Sequence, residues 1–174
     1  MAEVGNCEAQ YQLGFLALTE CDLISGREAF SWFRRAAETG HADAMYQLAT
    51  FPDFSRVEAF ESPLSAEEAW SWLVRAAELG CRQAQYDAGA YLATGDWGNG
   101  QVVKQNLASA VAWYRLAAEA GHVDAQFNLA TMLMNGEGCE RDLVAAKTWL
   151  KRAMAGGYKY QYAAELLAQM DSLK

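Results

Sequence analysis

The chain contains 174 residues, of which 52% are hydrophobic and 21% are charged, and only two are prolines. This composition is typical of a packed helical domain and unlike that of a disordered segment. The formal net charge of −8 and the pI near 4.7 argue against nucleic acid binding, because phosphates require a basic surface. A protein partner with a basic surface fits this charge, and so does an acidic surface that only maintains solubility.

The start of the chain and its uncharged runs give no sign of secretion or membrane insertion. No basic and apolar leader follows Met1. The longest uncharged runs fall well short of the ~18–20 residues that a membrane span needs. We therefore expect a cytoplasmic protein.

The four cysteines carry no C-x-x-C signature. Cys7 and Cys21 are predicted to flank one helix, which would hold them about 20 Å apart at ~1.5 Å per residue. This separation is beyond the reach of a disulfide. Together with Cys81 and Cys139, they are expected to be free thiols in a reducing compartment.

Five glycines mark an internal repeat and are called the turn glycines below. The intervals between them are 35, 40, 41 and 36 residues. A regular interval of this length indicates a stack of helical hairpins, each of which ends in a glycine turn. The turn glycines are Gly5, Gly40, Gly80, Gly121 and Gly157.

The first predicted helix of each unit, the A helix, follows the turn glycine. Counted from that glycine, position 4 is alanine, position 8 is leucine or alanine, and position 9 is glycine or alanine in all four units. Side chains this small allow a neighbouring helix to approach closely. The residues at positions 4 and 9 are Ala9 and Gly14, Ala44 and Ala49, Ala84 and Gly89, and Ala125 and Ala130.

The second predicted helix, the B helix, ends at the next turn glycine. A tryptophan lies eight residues before that glycine, and an alanine lies three residues before the tryptophan. Because the tryptophans recur in register with alanines, we interpret them as core residues. They are Trp32, Trp72, Trp113 and Trp149. N-cap residue types lie seven residues before them, at Ser25, Ser65, Asn106 and Asp142, and Glu28 and Glu68 complete two capping boxes.

The fourth unit shows the pattern most fully. From Ala125 to Ala153 it is A-x-x-x-L-[GA]-x-x-x-x-x-G-x-G-x-x-x-D-x-x-x-A-x-x-W-x-x-x-A, with Gly136, Gly138 and Asp142 in place. This pattern resembles the Sel1-like repeat, a relative of the tetratricopeptide repeat. The resemblance covers nearly the whole chain, although the first two units lack the paired glycines.

The resemblance implies an all-α, right-handed α-solenoid with a concave and a convex surface. We expect one domain, 1–174, with repeats at approximately 5–39, 40–79, 80–120 and 121–156. A capping helix at 158–172 would close the open end of the stack, because Gln161 replaces the alanine of position 4 there.

A column of aromatic residues follows position 6 of the A helices, and polar residues flank it at positions 3 and 7. In the tetratricopeptide relatives these positions line the concave face, so we call them the A-helix face. We predict that this face binds a protein partner. The alternative is that position 6 packs against the neighbouring A helix. The candidate binding residues, with one from an inserted loop, are Tyr11, Asp43, Tyr46, Gln47, Gln83, Tyr86, Asp87, Trp97, Asp124, Phe127 and Asn128.

Two connections are longer than the rest. The segment 51–65 carries Phe54 and Phe60, and the glycine-rich segment 94–106 carries Trp97. Insertions in solenoids often serve in binding. Trp97 is equally well suited to cover a helix end.

No catalytic constellation is present. His41, Cys81 and His122 stand at position 1 of successive units, and stacked units are on the order of 10 Å apart, which excludes a shared zinc site. We interpret the histidines as helix caps. No nucleophile elbow, zinc-protease motif, phosphate loop or dinucleotide fingerprint occurs. Some secreted Sel1-like proteins are cysteine-rich and linked to β-lactam or cell-wall binding, but their cysteine spacing is missing. We predict no enzyme activity, no cofactor, no metal and no small-molecule substrate.

Two functions are compatible with the sequence. One is an adaptor or scaffold that holds a partner on its concave face and inserted loops. The other is an immunity or inhibitor protein that binds and neutralises a cognate toxin or secreted effector, as some bacterial Sel1-like proteins do.

Overall fold

A computed structural model describes residues 6–18, 23–54, 64–98, 101–157 and 160–172. The predicted fold class is confirmed: these residues form all-α repeats of paired helices and a C-terminal helix, with one short hairpin. Gly5, Cys21 and Phe60 lie outside the described residues. The helices are α1 (Cys7–Leu18), α2 (Leu23–Glu38), α3 (Ala42–Phe54), α4 (Ala66–Glu78), α5 (Arg82–Thr94), α6 (Leu107–Glu119), α7 (Val123–Asn135), α8 (Leu143–Ala155) and α9 (Tyr160–Ser172).

The chain divides into two compact units, called unit 1 (residues 1–84) and unit 2 (residues 85–174). Within unit 1, α1 packs on α2, α2 on α3 and α3 on α4. Within unit 2, α6 packs on α7, α7 on α8 and α8 on α9. Within each unit, these successive helices are therefore neighbours in space, as a repeat of helical hairpins requires.

The B helices begin at the predicted caps in three of the four repeats. Ser65 accepts from the backbone N–H of Glu68, whose side chain accepts in turn from the N–H of Ser65. Asn106 and Asp142 cap α6 and α8. The prediction that Ser25 caps α2 is wrong, because this helix already begins at Leu23. The sequence has another N-cap residue type, Asp22, directly before Leu23.

The turn glycines end the B helices as predicted. The φ angles of the four described ones lie between 86° and 100°, a left-handed region that a side chain disfavours. They are Gly40, Gly80, Gly121 and Gly157.

The core of the B helices lies one residue beyond the tryptophans. Trp32, Trp72 and Trp113 are only half-buried, so the prediction that they are core residues is wrong for these three, whereas Trp149 is buried. The residue after each tryptophan is turned by ~100° and points into the core. These buried residues are Phe33, Leu73, Tyr114 and Leu150. An arginine three residues on covers three of the indole rings, in the pairs Arg35–Trp32, Arg75–Trp72 and Arg152–Trp149.

The size of position 9 matches the size of that core residue. A Cβ atom on Gly14 would lie 2.5 Å from the ring of Phe33, and one on Gly89 would lie 2.8 Å from the ring of Tyr114. Repeats one and three therefore combine glycine with an aromatic ring. Repeats two and four combine alanine with leucine, at Ala49 and Leu73 and at Ala130 and Leu150.

The segment after α5 forms a small antiparallel hairpin of β1 (Asp96–Gly98) and β2 (Gln101–Val102). Backbone hydrogen bonds from Val103 N–H to Gly95 O (3.1 Å) and from Asn106 N–H to Leu92 O (2.9 Å) fasten it to the end of α5. Trp97 stacks on Tyr91 of that helix, with ring centroids 5.7 Å apart. The inserted tryptophan thus folds back over a helix end and stays partly exposed.

Candidate partner-binding face

Position 1 caps the A helix in every repeat. The side chain at this position accepts a hydrogen bond from the backbone N–H of the alanine at position 4. The N–H of Ala44 donates to Nδ1 of His41 over 3.2 Å, and that of Ala125 donates to Nδ1 of His122 over 3.3 Å. The predicted capping role of both histidines is confirmed. Asn6 caps α1 through Ala9 in the same way, over 3.0 Å.

The cap histidines also stack on the position 6 tyrosine of the preceding repeat. The rings of His41 and Tyr11 have centroids 4.5 Å apart and an interplanar angle of 23°. Those of His122 and Tyr86 are 4.2 Å apart and inclined by 10°. Each histidine therefore caps the A helix of its own repeat and also covers one ring face of the tyrosine in the preceding repeat.

Cys81 takes the cap position of α5 and is buried. Burial raises the pKa of its thiol to about 11, while hydrogen bonds from the backbone of Ala84 and Gln83 oppose this shift. The thiol also makes a hydrogen bond to the carboxylate of Asp43. A buried thiol with a raised pKa is a poor nucleophile, so Cys81 is structural. The described cysteines, Cys7, Cys81 and Cys139, are free thiols.

The position 3 carboxylates of unit 1 are held by the next cap residue. Glu8 Oε2 lies 3.0 Å from Nε2 of His41, and Glu8 Oε1 accepts from the amide of Gln12 over 2.7 Å. Since Nδ1 of His41 accepts from Ala44, Nε2 carries the proton and donates to Glu8. The hydrogen bonds with Gln12 and His41 hold the pKa of Glu8 below its usual value. Asp43 accepts from Cys81 in the equivalent way.

Both of these carboxylates act on the phenol of Tyr11. Burial raises the pKa of its phenol, the negative charges of Asp43 and Glu8 raise it further, and a hydrogen bond with Gln47 opposes the shift. The ring remains partly exposed. Unit 1 thus combines a tyrosine of fixed orientation with two exposed carboxylates beside it.

Two aromatic residues of unit 2, Tyr114 and Phe127, are buried. Tyr114 is buried, which raises the pKa of its phenol to about 12, and it makes a hydrogen bond with Asn128. Phe127 is only 8% exposed and lies against Tyr162 of α9, with centroids 5.6 Å apart. In the fourth repeat, packing therefore buries most of the aromatic side chain at position 6.

The predicted binding residues fall into three groups by exposure. Asp43, Gln83 and Asp124 are exposed, whereas Gln47 and Phe127 are buried and support the face from below. The partly exposed ones are Tyr11, Tyr46, Tyr86, Asp87, Trp97 and Asn128. At Tyr11 and Tyr86, the ring packs against the histidine of the next repeat and is also partly exposed.

The prediction did not include two apolar residues of α1 that keep exposed surface. Phe15 is partly exposed and packs edge-on against Tyr11, with centroids 5.0 Å apart. Leu16 is 64% exposed. The signal was available, because the other A helices have Thr50, Ala90 and Thr131 at the position of Phe15.

In the described parts of the chain, no three His, Cys, Asp or Glu side chains are grouped so that they could hold a metal ion. No helix among these residues has the length and apolar character needed to cross a membrane.

The repeats identify the family. The Sel1 repeat model matches residues 7–41, 42–81, 82–122 and 123–158. The chain therefore belongs to the Sel1 repeat family. A comparison with curated protein sequences returned no match.

Solved structures of similar proteins agree with this assignment. A Sel1 repeat protein from Oxalobacter formigenes is 30% identical over 95% of the chain, with a TM-score of 0.79. The protein c5321, a protective antigen of uropathogenic Escherichia coli strains with an SLR fold, is 31% identical over 97% of the chain, with a TM-score of 0.78. The chain spans only 45% and 34% of these two proteins. Helicobacter pylori cysteine rich protein B shares the fold at 20% identity over 78% of the chain and 94% of its own length, with a TM-score of 0.55.

Proposed function

We propose that the protein is a non-enzymatic interaction module of the cytoplasm, an adaptor that binds a partner protein on its A-helix face and the loop carrying Trp97. The observation that carries this proposal is the support given to the exposed side chains. Cap residues hold Tyr11, Tyr86, Glu8 and Asp43 from the buried side, so these groups lose little conformational entropy when a partner binds.

The residues of the A-helix face have different roles in binding. The partly exposed rings at position 6, Tyr46 and Tyr86 among them, supply anchors, because aromatic residues at the centre of an interface carry much of its free energy. The exposed carboxylates of Asp43 and Asp124 steer association and make it salt-sensitive. Gln47 and Phe127 act from beneath as supports.

The test is affinity purification of the whole chain from its native cell, with the retained partner then measured against variants. The double variant Asp43→Lys with Asp124→Lys reverses two exposed charges of the face. The matched control, Glu38→Lys with Glu119→Lys, reverses two exposed charges at the ends of B helices. We expect only the first variant to slow association. Equal effects of both variants would contradict a binding site on the A-helix face.

The composition of the captured complex separates the two candidate roles. An adaptor retains its partner together with a further protein. A one-to-one complex in which the activity of the partner is blocked would favour the immunity or inhibitor role, for which the charge of −8 suits a basic target.

A further inference from the structure

The negative charge is concentrated in one half of the molecule. Unit 1 contains 13 acidic and 6 basic residues, a formal charge of −7, whereas unit 2 contains 9 and 8, a formal charge of −1. An approaching cationic segment is therefore attracted to unit 1, and the potential of unit 2 contributes little.

Unit 1 also has two apolar side chains on α1 that keep exposed surface. Phe15 packs edge-on against both Tyr11, at 5.0 Å, and the fully buried Phe33, at 5.3 Å, so the rings are anchored in the core. Leu16 follows directly and is 64% exposed. These side chains offer a contact for one apolar side chain of a partner, next to the carboxylates of the same helix face.

The two carboxylates beside Tyr11 are oriented before any partner arrives. Glu8 is fixed by Gln12 and by His41, and Asp43 is fixed by the Cys81 thiol. Both remain exposed. A carboxylate that accepts these bonds keeps lone pairs for a further donor, because each ionised carboxylate offers about four acceptor sites.

We infer that this surface of unit 1 binds an arginine of a partner protein, with the guanidinium between Glu8 and Asp43 against the Tyr11 ring and a neighbouring apolar side chain of the partner on Phe15 and Leu16. The inference rests on the proposed function and assigns the chemistry of the partner. Arginine fits better than lysine, because its planar group donates in a fork to carboxylates and also stacks on aromatic rings.

The test is a titration of the isotope-labelled full chain, followed by amide chemical shifts. The probes are three tripeptides, acetyl-Leu-Arg-Leu-amide, its lysine analogue and its uncharged citrulline analogue. We expect the arginine tripeptide to shift the amides around Tyr11, Phe15 and Asp43, with the lysine form weaker and the citrulline form without effect. Equal shifts from all three tripeptides, or shifts confined to unit 2, would overturn the inference.

Isosteric variants remove the charge and keep the fold. In Glu8→Gln with Asp43→Asn, the amide oxygens still accept from His41 and Cys81, and we expect the arginine tripeptide to bind about tenfold more weakly. The control, Glu67→Gln with Glu78→Gln, removes two other exposed charges of unit 1 and should leave binding unchanged. Equal losses in both double variants would mean a diffuse acidic attraction and would overturn the site.

The outcome also separates this inference from the proposed function. If the tripeptide fails to bind while the captured protein still depends on Asp43 and Asp124, only the arginine site is wrong. If the captured protein binds normally to the charge-reversed face, the proposed function itself fails.

Discussion

Tyr11 in unit 1 and Tyr86 in unit 2 make the same ring contacts, yet the net charges of their units differ. Each ring stacks on the histidine that caps the next A helix, and each lies close to a core aromatic residue, Phe33 or Tyr114, at 5.9 Å. Unit 1 has a formal charge of −7, whereas unit 2 has −1. The same packing thus occurs in both units, while the net charge of the two units differs.

The largest expected effects come from truncating the core aromatic residue that lies close to each of these tyrosines. We expect Phe33→Ala and Tyr114→Ala each to lower the free energy of unfolding by about 3–5 kcal/mol, the usual range for a buried ring. Trp72→Ala should cost clearly less, because the indole is half-buried. Urea unfolding followed by circular dichroism measures all three. A larger loss for Trp72→Ala than for Phe33→Ala would show that the tryptophans are the core after all.

The next test exchanges one type of repeat for the other. Gly89→Ala forces a Cβ to within 2.8 Å of Tyr114 and should cost about 1–3 kcal/mol through overpacking. Adding Tyr114→Leu recreates the alanine and leucine combination of repeats two and four. We expect this second change to cost less in the Gly89→Ala background than in the native chain. Additive losses would mean that the two positions do not determine each other's size.

The cap histidines are expected to have smaller effects. His122→Ala removes the acceptor for the N–H of Ala125 and should cost about 0.5–2 kcal/mol. His122→Asn is the matched control, since Asn6 caps α1, and it should recover most of the stability. Its ring can no longer stack on Tyr86, so the near-ultraviolet signal should change in both variants. A loss of stability for His122→Asn as large as that for His122→Ala would assign the effect to stacking.

The smallest expected effect is the pH dependence contributed by Glu8. The hydrogen bonds with Gln12 and His41 keep its pKa below the ordinary value of 4.5. A depressed carboxyl pKa stabilises the fold above pH 4.5, and this contribution disappears as the pH falls through the folded-state value. The stability difference between the native chain and Glu8→Gln should therefore shrink on acidification. A difference that stays constant down to about pH 3 would show that the charge of Glu8 has no part in it.

The sequence predicted the repeats well because their signals are local. The turn glycines, the capping box at Ser65 and the histidine caps depend on residues only a few positions apart. The tryptophans were wrongly predicted as the core because a second large side chain follows each of them in the sequence. Only the packing shows which of the two faces the core. The stacking of Tyr11 on His41 joins residues of different repeats, so no local pattern revealed it.

The site was predicted less completely than the fold. The A-helix face stays a predicted binding face, and two of its residues, Phe127 and Gln47, are buried by neighbours that periodicity alone does not locate. Phe15 and Leu16 were not predicted because a repeat pattern marks only the residue types that recur, and these two occur in a single repeat.

If the oriented carboxylates of unit 1 guide the partner, association kinetics should reveal it. The captured partner is immobilised, and association rates are measured by surface plasmon resonance at low and high salt. Glu8→Gln with Asp43→Asn is compared with Glu119→Gln and Glu140→Gln, which remove two exposed charges from unit 2 outside the A-helix face. We expect the unit 1 variant to associate about tenfold more slowly at low salt, with a difference that shrinks at high salt. The unit 2 variant should change the association rate little. Equal rates for the two variants, or a larger loss in the unit 2 variant, would contradict it.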